Sequence, residues 1–150
     1  MAKTLLERLR PWREQIDSLD QQILQLLNQR AQAALEIGKI KEELNANDSI
    51  LKPEREAQIV AHLQNINSGP ITDRSVNAVW AEIISACRGL ESQMRVAFLG
   101  PQGSFSEQAA LSHFGHFIIP IPCASFDEVF RLVEVGEADV GMVPVENSTE

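Results

Sequence analysis

Apolar residues recur along the first part of the chain at Trp12, Ile16, Leu19, Ile23 and Leu26, then at Ala33, Ile37, Ile40 and Leu44. Steps of four and three alternate, which is the spacing of one buried helix face. Between Leu26 and Ala33 the pattern calls for another apolar residue, and the sequence places Arg30 there. A guanidinium is permanently charged, and burying it is costly unless an anion meets it. Thr4 and Glu7 have the spacing of a capping box, but Pro11 is suited to a first helical turn, so a long helix is predicted from Pro11 to about Leu44. Such a helix, about 33 residues, is roughly 50 Å long. Gly38 inside it lowers helix propensity and lets a neighbour approach closely.

The polar run Asn45, Ala46, Asn47, Asp48 and Ser49 interrupts the pattern, because Asn and Asp side chains compete locally for backbone hydrogen bonds. Pro53, Glu54 and Glu56 then open a second helix, proline fitting its first position and the carboxylates its positive end. Its face is Ile59, Leu63 and Ile66, and Asn67, Ser68, Gly69 and Pro70 stop it. A third helix opens near Thr72 or Asp73 and carries Val76, Val79, Trp80, Ile83, Ile84, Cys87 and Leu90 at helical spacing. Two short helices that fold back at a turn cannot cover a seam of that length. A second copy of the chain is the simplest cover, which predicts a helical dimer.

At Arg95 the period changes. Val96 to Leu99 reads as a strand, Gly100 to Ser106 as a Gly/Ser-rich loop, and a helix follows through Ala110 and Phe114. Phe117 to Ile121 is a second strand; Ser125 and Glu128 form a capping box for a helix to about Val135; Asp139 to Val145 is a third strand. The fold class expected is therefore an all-α three-helix domain over residues 1–94, followed by a partial α/β segment of order βαβαβ over residues 95–150. The loop at the helix start has backbone N–H groups that suit an anion, and equally the form of a tight structural turn.

Composition narrows the function. The chain has 150 residues, 44% of them hydrophobic, enough for a packed core, and a formal net charge of -8, which argues against nucleic-acid binding. Charge is unevenly shared: residues 1–94 carry 11 Lys+Arg against 13 Asp+Glu, and residues 95–150 carry 2 against 8. Cys87 and Cys123 form no CxxC pair, and His62, His113 and His116 form no ligand grouping, so neither a disulfide nor a metal is expected. Cys87 reads as a small core residue, with no histidine nearby in sequence to activate it. Without a leader or an apolar run of about 20 residues, a cytoplasmic protein with no membrane contact is expected.

The basic groups of the long helix have informative spacing. Arg30 and Lys41 lie within about 20° of each other around the helix and ~16 Å apart along it, so their long side chains could clasp one small dianion. Arg13 is ~42 Å from Lys41 along the same helix and could join them only from an antiparallel partner. Alternatively, these are solvated charges on an ordinary bundle.

The residues Leu9 to Asp20, Leu26 to Arg30 and Ile37 to Lys41, with Pro53 to Glu56 and Ile83 to Glu91, resemble the all-helical type of chorismate mutase over about residues 9–93. The resemblance implies an intertwined dimer with two sites, each converting chorismate to prephenate with no cofactor and no metal. Arg13 from one subunit and Arg30 from the other would bind the two substrate carboxylates. Lys41 would contact a carboxylate and the ether oxygen of the breaking bond, Arg55 would support the pocket, and Glu56 would accept from the substrate hydroxyl. Cys87 and Glu91 would stand where well-known members have serine and glutamine, and Lys52 at the rim where some have an acidic residue. To donate to the ether oxygen Glu91 must carry a proton, which implies an acid-shifted activity optimum that Glu91→Gln would relieve.

The run Val96 to Ala110 and the stretch Gly141 to Glu150 are similar to the opening third or so of prephenate dehydratase, which decarboxylates and dehydrates prephenate to phenylpyruvate. Together the two resemblances point to the bifunctional family that joins these steps in phenylalanine biosynthesis. A complete dehydratase would extend beyond Glu150, so a truncated form is expected; Asn147 would belong to a substrate site only in the complete enzyme. The competing expectation is a helical dimerisation module without catalysis, whose basic residues serve partner recognition.

Overall fold

The computed structural model describes residues 1, 3–46 and 51–145; Asn47, Asp48 and Ser49 of the predicted polar break, and Asn147 with the rest of 146–150, lie outside the described residues. The elements are α1 (Leu5–Glu43), α2 (Pro53–Ile66), α3 (Asp73–Glu91), β1 (Met94–Leu99), α4 (Phe105–Phe114), β2 (Ile118–Cys123), α5 (Phe126–Glu134) and β3 (Val140–Met142). Among the described residues no helix is long and apolar enough to cross a membrane.

α1 has 39 residues and starts six residues before Pro11. The capping box at Thr4 forms in full: the Glu7 N–H donates to Thr4 Oγ1 at 3.3 Å, and the Thr4 N–H donates to Glu7 Oε2 at 2.7 Å. That cap nucleates the first turn upstream, and the bond that Pro11 cannot donate to the Glu7 carbonyl is one local loss in a long helix. α2 begins at Pro53 and α3 follows Thr72, whose hydroxyl accepts from the Ser75 N–H at 3.1 Å, both as the capping signals predict.

The three strands form one parallel sheet of order β2-β1-β3. β1 is central, and Val96, Ala97 and Phe98 are fully buried, as expected for a strand covered on both faces. Met94, Val96, Ala110, Phe114 and Ile118 make a core beneath α4; Ala97, Cys123, Val129, Leu132 and Ala138 make a second core beneath α5. The crossovers run in opposite directions from β2, which places α4 and α5 on opposite faces.

Strand limits differ from the predicted ones. β1 starts at Met94 because Met94 pairs with Ile118, and β2 runs on to Cys123 because Cys123 pairs with Leu99. Phe117 lies in the turn before β2, where its N–H donates to Ser85 Oγ at 3.2 Å. β3 is only three residues because it pairs with Val96 to Phe98 alone. The N-terminus of α5 is capped by Ser125 as expected, but Glu128 accepts from the Ala124 N–H at 2.8 Å, one residue before the cap.

Candidate active site on the helical domain

α1 packs against α3 along a stripe of buried and half-buried residues: Leu27, Arg30, Ala31, Ala34, Leu35, Gly38 and Lys41. The apolar seam of the sequence lies on a different face, turned by roughly 90°. Its members are open in the single chain, Trp12 at 66%, Ile23 at 53% and Ile37 at 55% exposure. Arg30 and Lys41 are half-buried and Arg13 is exposed. Arg30 stands at the border between that seam and the α3-facing stripe, half-buried as Lys41 is.

Gly38 is the buried residue of α1. A β-carbon there would stand 3.2 Å from the carboxyl carbon of Glu91 and 3.3 Å from its Oε1. The missing side chain thus makes room for Glu91, the last residue of α3, against the same stripe that holds Arg30 and Lys41. A hydrogen at position 38 is what lets helix and carboxyl group meet at van der Waals distance.

On an adjacent face of α3, three residues before Glu91, Arg88 donates from Nη2 to Glu56 Oε1 of α2 at 2.8 Å, with 6% of the Arg88 side chain and 24% of the Glu56 side chain exposed. Its Nη1 reaches the Phe114 carbonyl at 3.5 Å, and its Nε is buried with no hydrogen-bond partner among the described residues. Sequence reading passed over Arg88, although the signal that singled out Arg30 was present. Position 88 follows Ile84 and Cys87 on a buried stripe, and a charge there asks for an anion.

Around Arg88, one edge of α3 is fastened to the turn between α4 and β2. Glu82 accepts from the His116 N–H at 3.1 Å and pairs with its Nδ1 at 2.5 Å. Burial works to raise the Glu82 carboxyl, and its bonds to His116 outweigh this, holding it below the ordinary carboxylate range. Ser85, fully buried, takes the Phe117 N–H, and Gly115 lies against Ser85 with φ 76°, where a β-carbon would be 2.7 Å from its Oγ. The α/β segment is thus docked on the back of α3.

Cys87 is buried in the wall of an apolar cleft of ≈ 520 Å³ that Leu27, Ala31, Ile83, Leu90 and Phe117 also line. Lys52 and Arg55 line a shallow pocket at the start of α2, apart from that cleft. The single chain therefore brings Glu91 to α1 and Glu56 to Arg88, and leaves Arg13 far along α1. In the Gly/Ser loop, the Gly103 N–H donates to the Glu107 carboxylate, while Ser104 Oγ donates to the Leu99 carbonyl at 3.1 Å and accepts from the Glu107 N–H. An internal carboxylate holds the place an anion would take, so the loop serves as the cap of α4.

Residues 12–92 match the family model of chorismate mutase type II, and residues 96–150 match that of prephenate dehydratase. The bifunctional chorismate mutase/prephenate dehydratase of Stutzerimonas stutzeri is 45% identical over 96% of this chain, and that of Neisseria gonorrhoeae 43% identical over 100%. The chain spans 40% of the length of each of these two relatives. Among solved structures, the chorismate mutase of Thermus thermophilus aligns with a TM-score of 0.51 at 32% identity, covering 54% of this chain and 99% of that one. With its three helices, their charged stripe and this match over more than half of its length, the chain belongs to the type II chorismate mutase family.

Proposed function

We propose that this chain rearranges chorismate to prephenate, and that it does so as an intertwined dimer. The observation that carries the reading is the α3-facing stripe of α1, where Arg30 and Lys41 flank the glycine that admits Glu91. A pericyclic rearrangement needs a compact substrate conformer held in place and charge stabilised on the ether oxygen as the C–O bond breaks. Two cations and one hydrogen-bonding side chain on neighbouring helices supply those needs. In this reading Arg30 forks a substrate carboxylate, Lys41 places a point charge on a carboxylate and the ether oxygen, and Glu91 in its protonated form donates to that same oxygen. Glu56 accepts from the substrate hydroxyl; Arg55 and Lys52 close the rim, and Cys87 lies behind it.

The dimer follows from two features of the single chain. The seam from Trp12 to Leu26 lies open, a longer apolar surface than a monomer ordinarily exposes. Arg13, ~42 Å from Lys41 along α1, reaches a site only if an antiparallel partner returns it there. Residues 95–150 are read as the opening part of a dehydratase domain, and the second activity belongs to the longer protein of this family.

The test is loss of chorismate on incubation with the chain, for wild type and Arg30→Ala, with the assembly state followed by sedimentation. Loss of rearrangement in Arg30→Ala with the dimer retained supports the reading. A variant that stays active removes Arg30 from the site, and one in which the dimer itself dissociates favours the interaction module instead.

A further inference from the structure

We propose that Arg88 is a positioning residue of the mutase site, acting through Glu56. The inference rests on the reading of Glu56 as the acceptor of the substrate hydroxyl. Arg88 is more than nine-tenths buried, yet among the described residues it meets one carboxylate oxygen at 2.8 Å, one carbonyl at the outer limit of hydrogen bonding, and leaves its Nε without a partner. Desolvating a guanidinium is costly, and a group satisfied this incompletely is a poor device for stability alone; a pair of apolar residues in place of Arg88 and Glu56 serves that purpose as well or better.

What an apolar residue cannot do is hold a carboxylate in one orientation. Glu56 lies in the first turn of α2, three-quarters buried, and the bond from Arg88 goes to its Oε1. Oε2 takes no bond from Arg88, which leaves it as the oxygen for a hydroxyl. A glutamate side chain has three rotatable bonds, and fixing them before substrate arrives removes an entropic cost from binding.

Arg88 is itself fixed from behind. Glu82, Ser85 and Arg88, spaced by three along α3, all hold the 114–117 turn, through His116, Phe117 and the Phe114 carbonyl. Gly89, next in line, meets the Phe117 side chain at 3.4 Å from where its β-carbon would be. The residue before Arg88 is Cys87 and three residues after it comes Glu91, so one helix carries the site on one face and the anchor of Glu56 on another. Leu51, just ahead of α2, packs into the core beneath α4 and steadies the helix that bears Glu56.

The test compares Arg88→Met, Arg88→Lys and Glu56→Gln, and the double variant of Arg88→Met with Glu56→Gln, by steady-state turnover of chorismate. A hydroxyl contact made both before and during reaction is uniform binding, so Arg88→Met is expected to raise KM about tenfold with kcat little changed, and to lower thermal stability because it leaves the three-quarters-buried Glu56 carboxylate unpaired, a loss that Glu56→Gln in the double variant relieves. Arg88→Lys recovers part of the loss. The double variant is no worse than Glu56→Gln alone, because Arg88 acts only through that carboxylate. A wild-type KM in Arg88→Met, or additive losses in the double variant, overturns the positioning role while leaving the mutase reading intact. A wild-type chain that leaves chorismate unchanged overturns both.

Discussion

Gly38 and Glu91 share one space: a β-carbon on Gly38 would lie 3.2 Å from the carboxyl carbon of Glu91. That distance is tight, and the glutamate side chain is the part able to give way. In a helix interior, Gly→Ala is worth about 1 kcal/mol of added stability. Gly38→Ala is therefore expected to leave the melting temperature unchanged or raised while moving the Glu91 carboxyl by a few tenths of an ångström. Catalytic geometry is less forgiving than packing, so kcat/KM for chorismate is expected to fall about tenfold. Thermal unfolding and turnover measured on the same preparation separate the two effects.

The pH profile bears on Glu91 directly. An ionised carboxylate can only accept hydrogen bonds, so a Glu91 that donates to the ether oxygen is expected to give turnover that falls as pH rises. Glu91→Gln, a donor at every pH, should flatten the profile. Parallel profiles for the two proteins would remove Glu91 from that role.

The proposed sharing of sites between subunits makes a distinct prediction for mixed chains. Arg13→Ala and Arg30→Ala chains, each inactive alone, leave one intact site when they pair, because the surviving Arg13 and the surviving Arg30 then belong to different chains. Random re-pairing of equal amounts should restore about one quarter of the wild-type rate per chain. No recovery on mixing would place both arginines of a site on one chain.

Gly115 and Gly103 separate backbone strain from collision. Both have positive φ, 76° and 84°, but a β-carbon at Gly115 would stand 2.7 Å from Ser85 Oγ, whereas at Gly103 it meets nothing within 4 Å among the described residues. Gly103→Ala should cost about 1 kcal/mol from conformation alone. Gly115→Ala should cost about 2 kcal/mol more, since it also forces the turn away from α3. Denaturant unfolding of the two variants measures the difference.

The pair Arg95 and Asp139 gives the α/β segment a pH dependence. The Arg95 guanidinium, at 3.0 Å, outweighs partial burial and holds the Asp139 carboxyl below its ordinary value of 3.8. A carboxyl lowered on folding contributes stability above its unfolded value and loses it as pH falls through the folded one. Stability should therefore decline below about pH 4. Asp139→Asn should weaken that decline. Both side chains are about two-fifths exposed, so the effect is expected to be small and to shrink further in salt.

Much of this molecule is legible in one dimension. Pro53, Thr72 and Ser125 mark helix starts by local chemistry that needs no tertiary partner, and the change of period near Arg95 separates three helices from βαβαβ. The candidate cations of α1 were readable for the same reason, since a charge among apolar positions stands out. Periodicity could not say which of two adjacent faces of α1 turns toward α3, because both carry apolar residues at helical spacing. It also underrated Thr4, whose cap starts α1 ahead of Pro11.

The sequence by itself determined the helices, the strands and the kinds of charge available to the site. Only the tertiary structure decided that Gly38 receives Glu91, that Arg88 meets Glu56, and that the 114–117 turn is fastened along α3. Local propensities act over a few residues. These three contacts join positions at least 26 residues apart, so they exist only once the chain has folded back on itself.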